Sequence, residues 1–98
     1  MLFAVIFTDV PGKGAVRERE LAAHLEWLEL NKAVISIGGS LRREVGDVPE
    51  GGLWIAEARS RAEVESLVKF DPFYIAGLRQ SFDVFHWSKA NTSRKVLL

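Results

Sequence analysis

The segment KFDPFYIAGL at residues 69–78 marks the boundary between a helical pattern and the last strand-like stretch of the sequence. Lys69 and Phe70 continue the helical pattern, and Pro72 ends it because proline has no N–H to donate and its ring crowds the preceding turn. Asp71 then has two possible roles. An aspartate before proline commonly caps a turn, and a carboxylate fixed at a helix end can also take part in chemistry. The sequence predicts a short turn after it, leading to the last strand.

Upstream of this segment, apolar periodicity predicts three strands and two helices. Leu21, Leu25 and Leu28 recur at helical spacing and predict the stripe with which the first helix faces a sheet. Ser60 and Glu63 fit a capping box at the start of the second helix. With the last strand included, the predicted elements are a strand at 2–9, a helix at 16–32, strands at 33–41 and 53–58, a helix from Ser60 to Phe70 and a strand at 81–89.

The order β-α-β-β-α-β is that of an α+β protein of the ferredoxin-like class, with a four-stranded antiparallel sheet and both helices on one face. No repeat, low-complexity stretch or internal linker interrupts it. We therefore expect a single domain over residues 1–90 and a C-terminal tail at residues 91–98.

The strands are apolar on both faces, which is unusual for a sheet covered by helices on one side only. In the first strand, Phe3, Val5 and Phe7 alternate with the equally apolar Leu2, Ala4 and Ile6, and the third and fourth strands repeat this pattern. A bare second face would expose far more apolar surface than a monomer normally does. The sequence therefore predicts a homodimer in which the two sheets pack face to face.

Composition narrows the class of protein further. The 98 residues carry 13 basic and 13 acidic side chains, so there is no general electrostatic attraction to nucleic acid or to an anionic membrane. No cysteine is present, which excludes disulfides and zinc sites with thiolate ligands. Residues 1–14 have neither the basic start nor the cleavage site of a signal peptide, and no apolar run is long enough to span a membrane. We expect a cytoplasmic protein that binds neither nucleic acid nor membrane.

His24 and Asp71 are the strongest candidates for chemistry. His24 lies at the edge of the predicted apolar stripe, where it can be a half-buried histidine bonded to backbone or a general base. Asp71 can be a cap or a functional carboxylate. Because the two helices of this fold pack side by side, the inner face of the first can meet the C-terminal end of the second. A carboxylate beside the imidazole would orient the ring and fix its tautomer.

Other candidates have weaker patterns. The glycine pair Gly38-Gly39 predicts a bulge or a close backbone approach, and its amides with the Ser40 hydroxyl could alternatively serve an anionic oxygen. The GKG sequence at residues 12–14 lacks a full phosphate-loop motif. His86 is expected to pack in a strand, and two histidines without ligand spacing predict no metal site.

The sequence resembles the YCII-related domain family over about residues 2–88. The resemblance rests on His24-Leu25, on GGSL at residues 38–41, on Gly52 and Ser60, and on DPFYIAGL at residues 71–78. It implies a ferredoxin-like protomer, a dimeric α+β barrel related to muconolactone isomerase, and a pocket with His24 and Asp71 as the family's proposed catalytic pair. Many relatives carry proline where this chain has Ser40, so its pocket floor can offer a hydroxyl instead.

Together these features favour a small cofactor-independent lyase or isomerase acting on a cyclic or aromatic metabolite. His24 would remove a proton beside a carbonyl, Asp71 would hold the imidazole, and Gly39 and Ser40 would stabilise an enolate-like oxygen. Phe73 and Tyr74 would provide an apolar wall for the substrate. No flavin, haem or nicotinamide motif is present. The alternatives are a non-catalytic dimer that binds or senses a small ligand, and an interaction partner of another enzyme.

Overall fold

The computed structural model describes residues 1–91 and shows the expected alternation of strands and helices. A four-residue helix is added before the last strand. The elements are β1 (Leu2–Asp9), α1 (Gly14–Leu30), β2 (Ile35–Leu41), β3 (Gly51–Glu57), α2 (Arg61–Phe70), α3 (Pro72–Ile75) and β4 (Arg79–His86). Residues 92–98, most of the predicted tail, lie outside the described residues.

The strands form one antiparallel sheet in the order β2-β3-β1-β4. At the centre of the sheet, Val5 of β1 lies between Trp54 of β3 and Val84 of β4. All three side chains are buried, as are Val64 and Val68 of α2. The predicted ferredoxin-like α+β fold is therefore confirmed.

The opposite face of the sheet is also apolar, as the sequence predicts, and in the single chain it is open. Pairing places Ile37, Ile55, Ala4 and Phe85 in one row across the four strands. Phe85 is 54% exposed and Ile37 is 48% exposed. A shallow apolar concavity of about 380 Å³ lies on this face. The homodimer that would cover it stays a prediction.

The apolar stripe predicted for α1 is wrong in part. Leu21 and Leu25 are exposed, and the buried face of the helix runs instead through Arg17, His24 and Leu28. His24 is the one fully buried residue of this helix. The inward face thus carries a cation and an imidazole, which hydrophobic periodicity does not detect.

The predicted cap at the start of α2 is present. The Ser60 hydroxyl accepts a hydrogen bond from the Glu63 amide at 3.2 Å, and the Glu63 carboxylate accepts one from the Arg59 amide at 3.3 Å. At the other end of α2 the prediction of a simple turn is wrong. Asp71 ends α2 and at once caps α3, with Pro72 in its first turn, because proline is well suited to the first position of a helix.

The glycine pair in β2 follows a register shift, and side chains rather than backbone approach its first residue closely. The register of β2 against β3 shifts between Ile35 and Ile37, just before the pair. A Cβ on Gly38 would lie 3.3 Å from both Leu28 of α1 and Trp54 of β3. Glycine at this position therefore lets α1 lie close to the sheet.

Among residues 1–91, no helix is both long and apolar enough to cross a membrane.

Candidate active site

His24 and Asp71 meet between α1 and the junction of α2 with α3. Nδ1 of His24 lies 2.7 Å from Oδ1 of Asp71. Both residues are buried, with Asp71 0% exposed and His24 6% exposed. Because an ionised carboxylate can only accept, the hydrogen of this bond resides on Nδ1. The contact expected from side-by-side helices is therefore present, and its use in catalysis stays a prediction.

The imidazole is tethered on one edge and open on the other. Within the described part of the chain, Nε2 of His24 has no hydrogen-bond partner. Two side-chain atoms, Asp71 Oδ2 and Arg79 Nε, are fully buried without a partner, and Nε2 is not one of them. With the proton on Nδ1, the lone pair of neutral histidine lies on Nε2. This edge can accept a proton from a molecule that reaches it.

Phe73 fixes both members of the pair. Its backbone amide donates to Asp71 Oδ1 at 3.0 Å, so the same carboxylate oxygen serves as helix cap and imidazole partner. Its ring stacks on the imidazole with 3.8 Å between centroids and 13° between planes. The ring is 1% exposed. Phe73 therefore supports the imidazole from behind, and little of its surface is free to contact a ligand.

Two contacts fix the position of α1 on the sheet, one on each side of His24 along the helix. Leu28 contacts the sheet at Gly38 of β2, and the Arg17 guanidinium reaches the carbonyl of Gly51 in β3 at 3.5 Å. His24 lies between these two points along the helix. Ser40 and Gly52 pair across β2 and β3 on the helix side of the sheet.

The remaining residues predicted for the site lie at different places around the pair. Ser40 is exposed on the helix side of β2, and its hydroxyl accepts a hydrogen bond from Arg42. Gly39 pairs with Leu53, at a position where a side chain would lie on the opposite face of the sheet. Tyr74 is half-buried and packs edge-on against Phe82 at 6.1 Å. The structure thus brings His24, Asp71 and Phe73 into contact. Among the polar and aromatic contacts of the described residues, neither Gly39 nor Tyr74 touches the imidazole.

Sequence reasoning missed a buried group of charges beside this pair. Asp9, at the end of β1, pairs through Oδ2 with Arg17 of α1 and through Oδ1 with Arg79 of β4, the latter at 2.8 Å. We call Asp9, Arg17 and Arg79 the basic cluster. Asp9 and Arg79 are partners across β1 and β4 at a register shift. Their adjacency depends on strand pairing between distant parts of the chain, so no local motif reveals it.

The basic cluster and the histidine share Phe73 as a neighbour. The guanidinium carbons of Arg17 and Arg79 lie 5.1 Å and 5.2 Å from the centroid of the Phe73 ring. Arg79 also lies over Phe7 at 4.3 Å. Such placement of a cation over an aromatic face is favourable, more so where water is excluded.

Gly52 makes room for the Arg79 guanidinium on the sheet. A Cβ at Gly52 would lie 3.2 Å from both terminal nitrogens of Arg79 and 3.1 Å from the Gly39 carbonyl oxygen. Glycine at residue 52 of β3 is thus explained by the buried Arg79 side chain that packs on it.

A cavity of about 330 Å³ lies beside these charges, between the start of α1 and the loop before β3. Arg17, Asp9 and Lys13 contribute to its wall, whereas His24 and Asp71 do not. Arg17 lines the cavity and also lies over the ring of Phe73. Within residues 1–91, no group of three or more His, Cys, Asp or Glu side chains is arranged to hold a metal ion.

The family model of the YCII-related domain matches residues 1–88, nearly the whole length of the chain. The chain belongs to the YCII-related domain family. The predicted resemblance is therefore confirmed, and the matched range ends just after β4. No curated protein matches the sequence.

The first solved structure to compare is similar in both sequence and fold. It is the 5-chloro-2-hydroxyhydroquinone dehydrochlorinase TftG of Burkholderia phenoliruptrix, in complex with 2,5-dihydroxybenzoquinone. It is 40% identical, with a TM-score of 0.83, and the match covers 93% of this chain and 97% of TftG. TftG is thus a family member that binds a small ring compound.

Two more distant structures share the fold alone. A protein of Pseudomonas aeruginosa is 18% identical with a TM-score of 0.50, and the match covers 90% of this chain and 91% of that one. A protein of Agrobacterium tumefaciens is 16% identical with a TM-score of 0.53, and the match covers 94% of this chain and 96% of that one.

Proposed function

We propose that this protein is a small cofactor-independent enzyme of the lyase or isomerase type, in which His24 and Asp71 transfer a proton on a small cyclic or aromatic metabolite. The observation that carries the proposal is the buried 2.7 Å contact between His24 Nδ1 and Asp71 Oδ1, with Nε2 left open. This is the arrangement by which a carboxylate orients a histidine base and stabilises its cation.

In the proposed mechanism Nε2 of His24 takes a proton from a carbon next to a carbonyl. The electron pair of the broken C–H bond moves onto the carbonyl oxygen and gives an enolate. In a lyase the enolate re-forms the carbonyl and expels a leaving group such as chloride. In an isomerase it takes the proton back at a different carbon. Asp71 stabilises the imidazolium that exists between these two steps.

The enolate oxygen needs a polar partner in the pocket. The Ser40 hydroxyl lies on the helix side of the sheet and is the candidate for this role. The Gly39 amide and Tyr74 stay proposed parts of the substrate pocket, although neither contacts the imidazole among the described residues.

The substrate class follows from TftG by similarity. A protein 40% identical over almost its full length acts on a chlorinated hydroxyhydroquinone and binds 2,5-dihydroxybenzoquinone. We therefore propose a hydroxylated six-carbon ring, present as the hydroquinone or its keto tautomer, as the substrate of this chain. The keto tautomer supplies the C–H bond next to a carbonyl that the mechanism requires.

The proposed enzyme is a homodimer joined through the exposed apolar face of the sheet. Ile6, Ile37 and Phe85 are exposed on that face, and a second copy would remove them from water. The helices and the His24–Asp71 pair lie on the opposite side of the sheet. Dimerisation is therefore compatible with an open site in each protomer.

The test is turnover of 5-chloro-2-hydroxyhydroquinone, measured as chloride release and as appearance of the quinone chromophore. We expect chloride release by the natural protein and a loss of about 10²–10⁴-fold in the His24→Ala variant, the usual contribution of a general base. His86→Ala is the matched control, since the ring of His86 packs on Phe3 in the sheet and the side-chain partners of Asp71 are His24 and Phe73.

Two outcomes would contradict the proposal. Turnover that is unchanged in His24→Ala would exclude the histidine as base. Tight binding of 2,5-dihydroxybenzoquinone, with no turnover of hydroquinones bearing different leaving groups, would favour the non-catalytic ligand-binding dimer instead.

A further inference from the structure

The basic cluster carries more positive than negative charge in a buried place. Asp9 is its one carboxylate, and both of its oxygens are occupied, one by Arg17 and one by Arg79. Arginine stays protonated in proteins, so the cluster has an excess of one positive charge. The side chains of Arg79 and Arg17 are only 3% and 13% exposed, so water screens this charge weakly.

The nearby carboxylates are committed to other partners. Glu20, which follows Arg17 on the same helix, pairs with Arg19 at 3.2 Å. Glu50, in the wall of the same cavity, pairs with Arg43 at 3.2 Å. Asp71 accepts a hydrogen bond from neutral His24, and no ion pair joins it to Arg17 or Arg79 among the described residues. Within the described residues, the excess charge therefore has only the Gly51 carbonyl, 3.5 Å from Arg17, as an additional acceptor.

Arg17 retains free hydrogen-bond donors. Its hydrogen bonds to Asp9 and to the Gly51 carbonyl both use Nη2. Neither Nε nor Nη1 of Arg17 is a fully buried atom without a partner. A guanidinium has five N–H donors in a fork that matches a carboxylate or a similar pair of oxygens. Arg17 can therefore hold Asp9 on one side and bind a second anion on the other.

The distance from Arg17 to the histidine suits one small ring. The guanidinium carbon lies 5.1 Å from the centroid of the Phe73 ring, and the imidazole lies 3.8 Å from the same centroid, so the two groups are at most about 9 Å apart. Seven residues separate Arg17 from His24, which is close to two helical turns and places both on one face. A single six-membered ring with an oxygen substituent is long enough to contact two groups within this upper limit.

We propose that the basic cluster, through Arg17, binds a negatively charged oxygen of the substrate while His24 acts on a carbon of the same ring. The inference rests on the proposed function and narrows its substrate class to rings that carry an ionised enol, phenol or carboxylate oxygen. Arg79 is a positioning residue in this account. It holds Asp9 and adds buried positive charge, which favours an anion at Arg17.

The test is equilibrium binding by titration calorimetry, independent of turnover. The anionic probe is 2,5-dihydroxybenzoquinone, whose hydroxyls are acidic because each is conjugated with a carbonyl, and the neutral probe is its dimethyl ether. Benzoate is the third probe and separates a carboxylate from an enolate oxygen. We expect Arg17→Gln to weaken binding of 2,5-dihydroxybenzoquinone about 10- to 100-fold, the effect of losing a charge-assisted hydrogen bond. Binding of the ether should be unchanged.

A control variant and a salt titration test whether the loss of binding depends on Arg17 and on the charge of the probe. Arg19→Gln is the matched control, because Arg19 lies on the same helix and its side chain is 64% exposed. Raising the salt concentration on the natural protein should weaken binding of the anion and leave binding of the ether unchanged, whatever the stability of the variants.

The outcomes separate this inference from the proposed function. Anion binding that depends on Arg17, with no turnover, supports the inference and contradicts the enzyme. Turnover with equal binding of both quinones in the natural protein and in Arg17→Gln overturns the inference and leaves the enzyme. Failure of both 2,5-dihydroxybenzoquinone and benzoate to bind at millimolar concentration also overturns it. Tight benzoate binding with weak quinone binding would support the anion site and assign it to carboxylates.

Discussion

The ring of Phe73 stacks face to face on the imidazole of His24, with 3.8 Å between centroids and 13° between planes. The backbone amide of Phe73 also donates to the Asp71 oxygen that accepts from the imidazole. One residue thus fixes the plane of the histidine and the position of its carboxylate partner. Such double support is what a histidine base needs if its open nitrogen is to meet a substrate at one orientation.

The first prediction concerns this support. Phe73→Leu keeps an apolar side chain but removes the flat surface behind the imidazole. We expect kcat on 5-chloro-2-hydroxyhydroquinone to fall about tenfold or more, because a small misplacement of a catalytic group is costly. The free energy of unfolding should fall by about 1–3 kcal/mol, the usual range for altering a buried side chain.

The control for this variant is Phe70→Leu. Phe70 is 64% exposed, at the end of α2 and one residue before Asp71. It should leave kcat and stability nearly unchanged. If Phe73→Leu loses stability but keeps the natural kcat, the stack has a structural role alone.

The second prediction concerns Asp9. Asp9→Ala leaves two buried guanidinium groups without their carboxylate, and breaking a buried ion pair in this way costs about 3–5 kcal/mol. Urea denaturation should show a loss of this size. Glu26→Ala, on the exposed side of α1, should change stability by less than about 0.5 kcal/mol. A loss below about 1 kcal/mol for Asp9→Ala would show that the basic cluster is well hydrated in solution.

The order of the elements, the two apolar faces of the sheet and the His24–Asp71 contact show where sequence reasoning succeeds. Element order and the two apolar faces of the sheet follow from local periodicity, because each strand and helix is marked by its own residues. The contact between His24 and Asp71 follows from the side-by-side packing of helices that this order implies. Each of these features needs only local patterns and one rule of topology.

The basic cluster and the buried face of α1 could not be found in the same way. Leu21 and Leu25 are the more apolar residues, yet Arg17 and His24 face the sheet because Asp9 and Asp71 satisfy them there. A buried charge is stabilised by its partner, and the partners come from distant parts of the chain. A hydrophobic pattern carries no information about such pairs.

The third prediction concerns Gly51. A Cβ at this position would lie 2.0 Å from the carbonyl oxygen of Phe7, which is backbone and cannot move aside without disturbing β1. Gly51→Ala should therefore destabilise the fold by about 1–3 kcal/mol or more, as overpacking does. Gly14→Ala is the control, since its Cβ would meet only Val48 at 4.0 Å. Equal melting temperatures for the two variants would mean that β1 and β3 separate at this point in solution.

The fourth prediction concerns assembly. Phe85→Asp places a charge in the centre of the exposed apolar face and should convert a dimer into a monomer, measured by light scattering at micromolar concentration. Leu30→Asp is the control, because Leu30 is 77% exposed on α1, away from that face. A natural protein that is monomeric at this concentration, or a Phe85→Asp variant that stays dimeric, would contradict assembly through the sheet.

The central claim is that the contact between His24 and Asp71 serves proton transfer. Its most direct test is kcat of the Asp71→Asn variant for chloride release from 5-chloro-2-hydroxyhydroquinone, with Glu26→Gln, on the exposed side of α1, as control. Asparagine can still cap α3 with its side-chain oxygen, but it cannot stabilise an imidazolium as a carboxylate does. The account predicts a loss of about 10²–10⁴-fold in kcat, with the affinity for 2,5-dihydroxybenzoquinone changed by less than about tenfold. A kcat within about threefold of the natural protein, in a variant of natural stability, would contradict it.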